Sequence, residues 1–244
     1  MCSSDLLLAG KHVHVEKPPT VGLAEFRELL SLARDKNVLL QMGYMWRFNP
    51  GINAALEAAR QGWLGEVYLV RGVINTNISG DLRRSFGEIA GGTMYELGCH
   101  LIDPLVRLLG KHAKVTPVLR HDAKDADALA DNCVAVFDFK HAIGIISSAT
   151  MQPTSGAHRT FEIQGTNGVA IVRPIEQPVL TVDLAQDAGP YKKGSQTINF
   201  PPYARYVPEF AELAACVRSG KPLAVTPEQD ELVHEALLKA SGMH

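Results

Sequence analysis

Short alternating runs and longer stretches with apolar residues at three- and four-residue spacing follow one another along the first fifty positions. His12-Val13-His14-Val15-Glu16 alternates as a strand does, and Gly10 before it suits a helix C-cap. Thr20 is placed to cap a helix whose Leu23, Phe26, Leu29, Leu30 and Ala33 share one face, and Val38 to Met42 predicts a second strand. Helix, strand, helix, strand is the tail of a doubly wound sheet, in which ligands gather at the carboxyl ends of the strands. Lys17 and the segment Gly43-Tyr44-Met45-Trp46-Arg47 emerge at that edge. Lys17 reads either as a solvated lysine or as one whose direction is set by the Pro18-Pro19 pair that follows, since X-Pro bonds can be cis.

Asn49-Pro50 is a cap and first-turn pair, with Gly62 closing the helix between. After Gly65 the pattern changes to strands: Val67 to Ile74, Cys133 to Phe139, Ile143 to Ala149, Thr160 to Gln164, Val169 to Val172, Val179 to Val182 and Thr197 to Phe200. Asn167-Gly168 is a hairpin dipeptide, and the set predicts an antiparallel sheet. Two helices end the chain. The first carries Tyr206, Phe210, Leu213 and Val217 and stops at Gly220; the second opens on a Thr226-Pro227-Glu228-Gln229 capping box and carries nothing chemical.

One further helix, from about Gly92 to Leu109, interrupts the strands and is placed to cover the sheet. Glu96, His100 and Asp103 fall at i, i+4 and i+7 within it, so a regular helix puts two carboxylates and an imidazole on one stripe. A His steadied by carboxylates is a candidate proton acceptor near neutral pH. A surface hydrogen-bond pair is the competing reading, and a metal site is disfavoured because no fourth ligand of matching pattern accompanies the three.

Composition narrows the classes. The 244 residues are 46% hydrophobic and 20% charged with a net charge of -2, an ordinary globular balance that demotes nucleic-acid binding. No apolar run approaches the roughly 20 residues of a membrane span and no signal peptide is evident, which makes the cytoplasm the default. Cys2, Cys99, Cys133 and Cys216 are scattered and read as buried free thiols. Arg83, Arg84 and Ser85, in the Asn77 to Phe86 stretch, read as a solvated turn or as contacts to hydroxyl or phosphate groups, the former slightly favoured. The start is abrupt: Met1 to Leu6 leads into a helix tail with nothing ahead of it, and Cys-Ser-Ser-Asp-Leu matches the in-frame end of a common sequencing adapter. Residues 1–6 are therefore expected to be non-native.

Three ordered motifs carry a resemblance. Gly10-Lys11-His12-Val13-His14-Val15-Glu16-Lys17-Pro18, then Gly43-Tyr44-x-x-Arg47-Phe48-x-Pro50, then Gly91-Gly92-x-x-x-Glu96-x-Gly98-x-His100-x-x-Asp103 together resemble the glucose-fructose oxidoreductase, inositol dehydrogenase and MocA (Gfo/Idh/MocA) family, from about Leu7 to the C-terminus. The resemblance implies an enzyme that uses NAD or NADP on sugars, inositols or related polyols. It implies that Lys17 is the active-site lysine, and that Glu16, Lys17 and Pro18 shape the cofactor side, with Arg47 reaching cofactor or substrate. It further implies that His100 transfers the proton, that Glu96 stands where aspartate is usual, and that Lys17, Glu96, His100 and Asp103 meet the substrate, although Asp103 could equally anchor its own helix.

The family's G-x-G-x-x-G turn is not found in this sequence, which leads us to expect that roughly 80 residues of dinucleotide domain are absent and that the chain alone is inactive. The expected fold class is α+β: a C-terminal remnant of a doubly wound Rossmann domain (7–48), a large, mostly antiparallel open-faced sheet domain with covering helices (49–204), and C-terminal helices packing back (205–244). Homo-oligomerisation through the open sheet face is expected by resemblance, with no nucleic-acid or membrane partner. The alternative is a non-catalytic sugar-binding or assembly module without nucleotide chemistry.

Overall fold

The computed structural model describes residues 3–243. Helix α1 (Ser3–Leu8), strand β1 (Val13–Glu16), helix α2 (Leu23–Asp35) and strand β2 (Leu40–Gly43) form the first unit, with β1 and β2 paired in parallel from Val13 opposite Leu40 to Glu16 opposite Gly43. Leu7, Val13, Ala33 and Leu40 close a small core between the helices and this sheet. Thr20 does not cap α2. It lies two residues ahead of the N-cap, Gly22, and its hydroxyl donates to the Gly22 carbonyl at 2.7 Å instead.

Helix α3 (Pro50–Arg60) begins as its sequence predicts, with the Asn49 side chain accepting from the Ile52 amide at 3.0 Å. Strands β3 (Val67–Val73), β4 (Lys114–Arg120), β5 (Asn132–Asp138), β6 (Ile143–Ala149), β7 (Thr160–Gly165), β8 (Gly168–Val172), β9 (Val179–Leu184) and β10 (Gly194–Asn199) build one eight-stranded sheet in the order β10-β9-β8-β7-β3-β6-β5-β4. Every neighbouring pair is antiparallel except β3 with β6, so the sheet is mixed at its centre. Strand β4 escapes the sequence pattern because Pro117 sits inside it. It lies at the edge of the sheet, paired with β5, where a residue without an amide proton costs no second ladder.

Helix α4 (Gly80–Gly87) follows β3; then a π-helical turn, Met94–Gly98, runs directly into α5 (Cys99–Leu109). Helices α6 (Val207–Ser219) and α7 (Pro227–Ala240) complete the chain, the latter with the capping box formed in both directions. Helix α5 seats on the central strands, α7 packs against β4 and β5, and α3 packs against β7 to β9. Glycines permit the close approach of α5: a Cβ at Gly72 would lie 2.9 Å from Leu101 Cδ1, and one at Gly144 would lie 2.8 Å from Leu105 Cδ2. Among the described residues no helix packs on the opposite face, and Tyr68, Val118, Val136 and Ile143 stand exposed.

Candidate active site

Strand β1 delivers Lys17 to the carboxyl edge of the small sheet, and the Lys17–Pro18 peptide is cis. Its ammonium donates to a Glu96 carboxylate oxygen at 2.6 Å and to the Glu96 carbonyl at 2.7 Å. The pair is largely shielded, with side-chain exposures of 10% for Lys17 and 23% for Glu96. One residue earlier, the Tyr95 hydroxyl donates to the Thr20 carbonyl, so the loop after β1 is tied twice to the π-helical turn. That turn accounts for the tie: a π-helix closes i→i+5 bonds, widening the helix where Glu96 leaves it.

His100, four positions after Glu96, lies in the first turn of α5 and is 4% exposed. Its ring lies 5.6 Å from that of Trp46, and its Nδ1 is buried without a hydrogen-bond partner. Burial first, then the charges of Lys17, Arg205 and Arg159, hold its pKa well below the ordinary value, so the imidazole is neutral at physiological pH. Behind it the Cys99 thiol is pushed up to about 12, chiefly by burial, and is no nucleophile.

The single stripe expected for Glu96, His100 and Asp103 is not what forms. Glu96 turns to Lys17, and no hydrogen bond joins the His100 ring to either carboxylate. Asp103 faces away: the Arg47 guanidinium donates to it at 3.0 and 2.8 Å and also to Asp230 of α7, while Arg107 approaches its other oxygen at 3.4 Å. Burial opposes the charge on Arg47, and Asp103 and Asp230 more than restore it; Asp230 itself is raised to about 6, again chiefly by burial. Arg47 and Asp103, expected to contact cofactor and substrate, are thus paired with each other, 6% and 1% exposed, in an ion cluster that joins the turn after β2 to α5 and α7. Three of the five guanidinium N–H donors face these two carboxylates, which together outweigh its single charge.

Arg83 also departs from its expectation. Rather than a solvated turn it sits in α4, 3% exposed, gripped by Asp127 at 2.7 and 3.0 Å, by Asp131 at 2.8 Å and by Asp125 at 3.2 Å. Arg84 remains exposed, and the Ser85 hydroxyl donates back to Leu82. Helix α7, chemically silent in the sequence, supplies Asp230 to the ion cluster and His234 to the Thr20 hydroxyl at 3.1 Å. Trp46, Arg159 and Arg205 complete the surroundings of His100; only Trp46 lay within a motif that drew attention. Cys99, Cys133 and Cys216 are buried free thiols, and Cys2 lies outside the described residues. Among the described residues no helix is long and apolar enough to cross a membrane, and no group of three or more His, Cys, Asp or Glu is arranged to hold a metal ion.

Known proteins resemble this arrangement throughout. Over 240 residues the chain is 29% identical to the trans-1,2-dihydrobenzene-1,2-diol dehydrogenase of Mus musculus, spanning 96% of this chain and 70% of that protein. An aldose-aldose oxidoreductase from Caulobacter crescentus, solved with glycerol, superimposes with a TM-score of 0.82 at 20% identity over 98% of this chain and 72% of its own. A levoglucosan dehydrogenase, solved with NADH and levoglucosan, gives a TM-score of 0.81 at 20% identity over 98% and 74%. Residues 2–44 match the family model described as the oxidoreductase family's NAD-binding Rossmann fold, and residues 52–171 match that of the GFO/IDH/MocA C-terminal domain. Two models of one family therefore match in succession across the small parallel sheet and most of the large one, and the chain belongs to the GFO/IDH/MocA oxidoreductase family.

Proposed function

We propose that this chain carries the chemical centre of an NAD(P)-dependent oxidoreductase acting on a hydroxyl or carbonyl carbon of a sugar, inositol or related polyol. The observation that carries the reading is the meeting of the Lys17–Glu96 ion pair with a buried, neutral His100 at the carboxyl end of a parallel strand. Family membership supports it, as do a diol dehydrogenase among the relatives and a solved neighbour holding NADH beside a sugar.

The residues present fit the nicotinamide end of the cofactor. Glu16 ends β1, with Lys17 and Pro18 on the turn that leaves it, and the other long edge of β1 has no strand beside it among the described residues. When bound, the nicotinamide supplies the hydride acceptor or donor. The chain's own groups handle the proton and the charge. His100, kept neutral by burial and by nearby cations, has a lone pair with which to take the hydroxyl proton. The Lys17 ammonium stabilises the oxyanion left behind, and Glu96 fixes that ammonium in position. Trp46 packs on the His100 ring and orients it, while Arg47 and Asp103 hold the start of α5 rather than touch the ligand. A second copy of the chain covering the exposed sheet face belongs to the same reading.

The test joins residues 7–244 behind a strand–loop–helix dinucleotide-binding half and follows nicotinamide absorbance with NAD and NADP over sugars, inositols and trans-diols. Turnover with at least one of them, lost in His100→Ala, is the expected outcome. Calorimetric polyol binding with no turnover in this hybrid would instead identify a non-catalytic sugar-binding module.

A further inference from the structure

A cavity of about 290 Å³ lies between the C-terminal ends of α3 and α5, the β2 strand and the loop ahead of α7, bordered by Arg60, Arg107, Glu57 and Glu212 and floored by Arg47. None of Lys17, Glu96 or His100 lines it. Arg107 stands seven residues along α5 from His100, about 10 Å at the rise of an α-helix.

We infer that this cavity is a second binding site, one that takes a small molecule through a phosphate or carboxylate group held between Arg60 and Arg107. The two arginines are brought together by the fold: Arg60 Nη2 donates to the Arg107 main-chain carbonyl at 3.3 Å. Two guanidinium groups at one rim repel, and the charge on Arg60 is disfavoured first by burial and then by Arg107. The carboxylates nearby relieve this only in part, Glu57 favouring the charge on Arg60 and Asp103 pairing with Arg107. Glu57, one turn before Arg60, accepts from Gln61 at 2.8 Å and forms no ion pair with it. Both oxygens of Glu212 are taken, by the Ala224 amide at 2.9 Å and the Gln41 amide group at 2.8 Å. Asp103 approaches Arg107 at 3.4 Å, but its other oxygen belongs to Arg47.

An anion between the two forks accepts charge-assisted bonds from both and cancels their repulsion. Met42, Phe48, Leu223 and Val225 give the rest of the cavity apolar walls. Its volume is at the lower end of the roughly 300–1,000 Å³ usual for small-molecule sites, which suits a short phosphate ester or carboxylic acid and is too small for a dinucleotide. Helix C-termini favour cations by themselves, which accounts for an arginine at each end but makes no demand for an anion.

Titration calorimetry on the full chain with inorganic phosphate, and separately with acetate, against chloride at equal ionic strength decides between these. Saturable heat with phosphate or acetate is expected, and whichever anion binds identifies the head group. Arg60→Gln is expected to weaken that binding about tenfold or more with its melting temperature in chloride unchanged, because Arg60 bonds nothing but one carbonyl. Glu57→Gln, which removes a competing negative charge from the rim, is expected to tighten it. Absence of saturable binding by either anion, or binding unaltered in Arg60→Gln, overturns the inference.

Discussion

The Lys17 ammonium lies 2.6 Å from the Glu96 carboxylate although 79 positions separate the two residues. This contact joins the end of the small parallel sheet to the π-helical turn that leads into α5. Lys17→Met is expected to lower kcat by removing the cation that meets the developing oxyanion, measured on the hybrid enzyme described above. A change confined to KM would show that the lysine binds ground and transition states equally. Glu96→Gln keeps a side chain of the same size but strands the shielded ammonium, and a loss of about 1–3 kcal/mol in unfolding free energy is expected by denaturant titration.

His100 is expected to contribute about 10²–10⁴-fold to turnover, read as the loss in His100→Ala. Its pKa is depressed, so the neutral, proton-accepting form persists as pH falls below the ordinary histidine value of about 6.5. The acid limb of the kcat/KM profile therefore belongs below about 6.5. An acid limb above that value would contradict a buried, cation-flanked base.

Arg47 separates a structural from a ligand-binding role. Its guanidinium neutralises Asp103 and Asp230, so Arg47→Met leaves two buried carboxylates without their cation, and a loss of about 3–5 kcal/mol is expected. Arg47→Lys should recover little, because a point charge cannot serve two carboxylates through a planar fork. Thermal melts check this. Unchanged melting with a raised KM would return Arg47 to the ligand.

The outward face of the large sheet offers a different kind of measurement. Val118, Val136 and Ile143 stand 53%, 39% and 48% exposed on neighbouring strands β4, β5 and β6. Contiguous apolar surface of this sort is expected to be covered by a second copy of the chain. Light scattering should show a dimer or larger assembly, and Val136→Glu with Ile143→Lys should reduce it to a monomer. A wild-type chain that is monomeric at micromolar concentration would remove this part of the reading.

Acid sensitivity is expected from His234. Its Nε2 donates to the Thr20 hydroxyl, whose own proton goes to Gly22, while Nδ1 is buried without a partner beside Phe26. Burial lowers its pKa to about 4, so the unfolded chain binds the proton first. Its stabilising contribution is complete above the unfolded value of about 6.5 and is lost as pH falls from there towards about 4. Between pH 7 and pH 5 this amounts to about 2 kcal/mol, and His234→Phe should flatten the stability curve by that much. Asp230, raised to about 6, acts in the opposite sense over the lower part of that range and is left in place by the substitution.

Much of this molecule was legible before any coordinates. The N-cap at Asn49, the capping box at Thr226, the hairpin around Asn167 and nine of the ten strands are local signals, and each is read from residues within a few positions of one another. Strand β4 was not, because Pro117 is forbidden or harmless according to whether its amide side faces another strand, and the order of strands decides that. Regular helical spacing placed Glu96, His100 and Asp103 on one stripe; in the structure Glu96 leaves a π-helical turn towards Lys17 and Asp103 turns to Arg47, partners that lie far away in sequence.

What the sequence alone determined is most of the elements and the family motifs, because propensity, capping and spacing act over a turn or two of chain. Which charges meet was decided only by tertiary structure. Arg47 finds Asp230 from 183 positions away, Arg83 finds Asp131 across β4 and its connecting loops, and Arg60 comes to rest beside Arg107. Coulombic pairing depends on distance and burial in space, and neither is written in the spacing of residues along the chain.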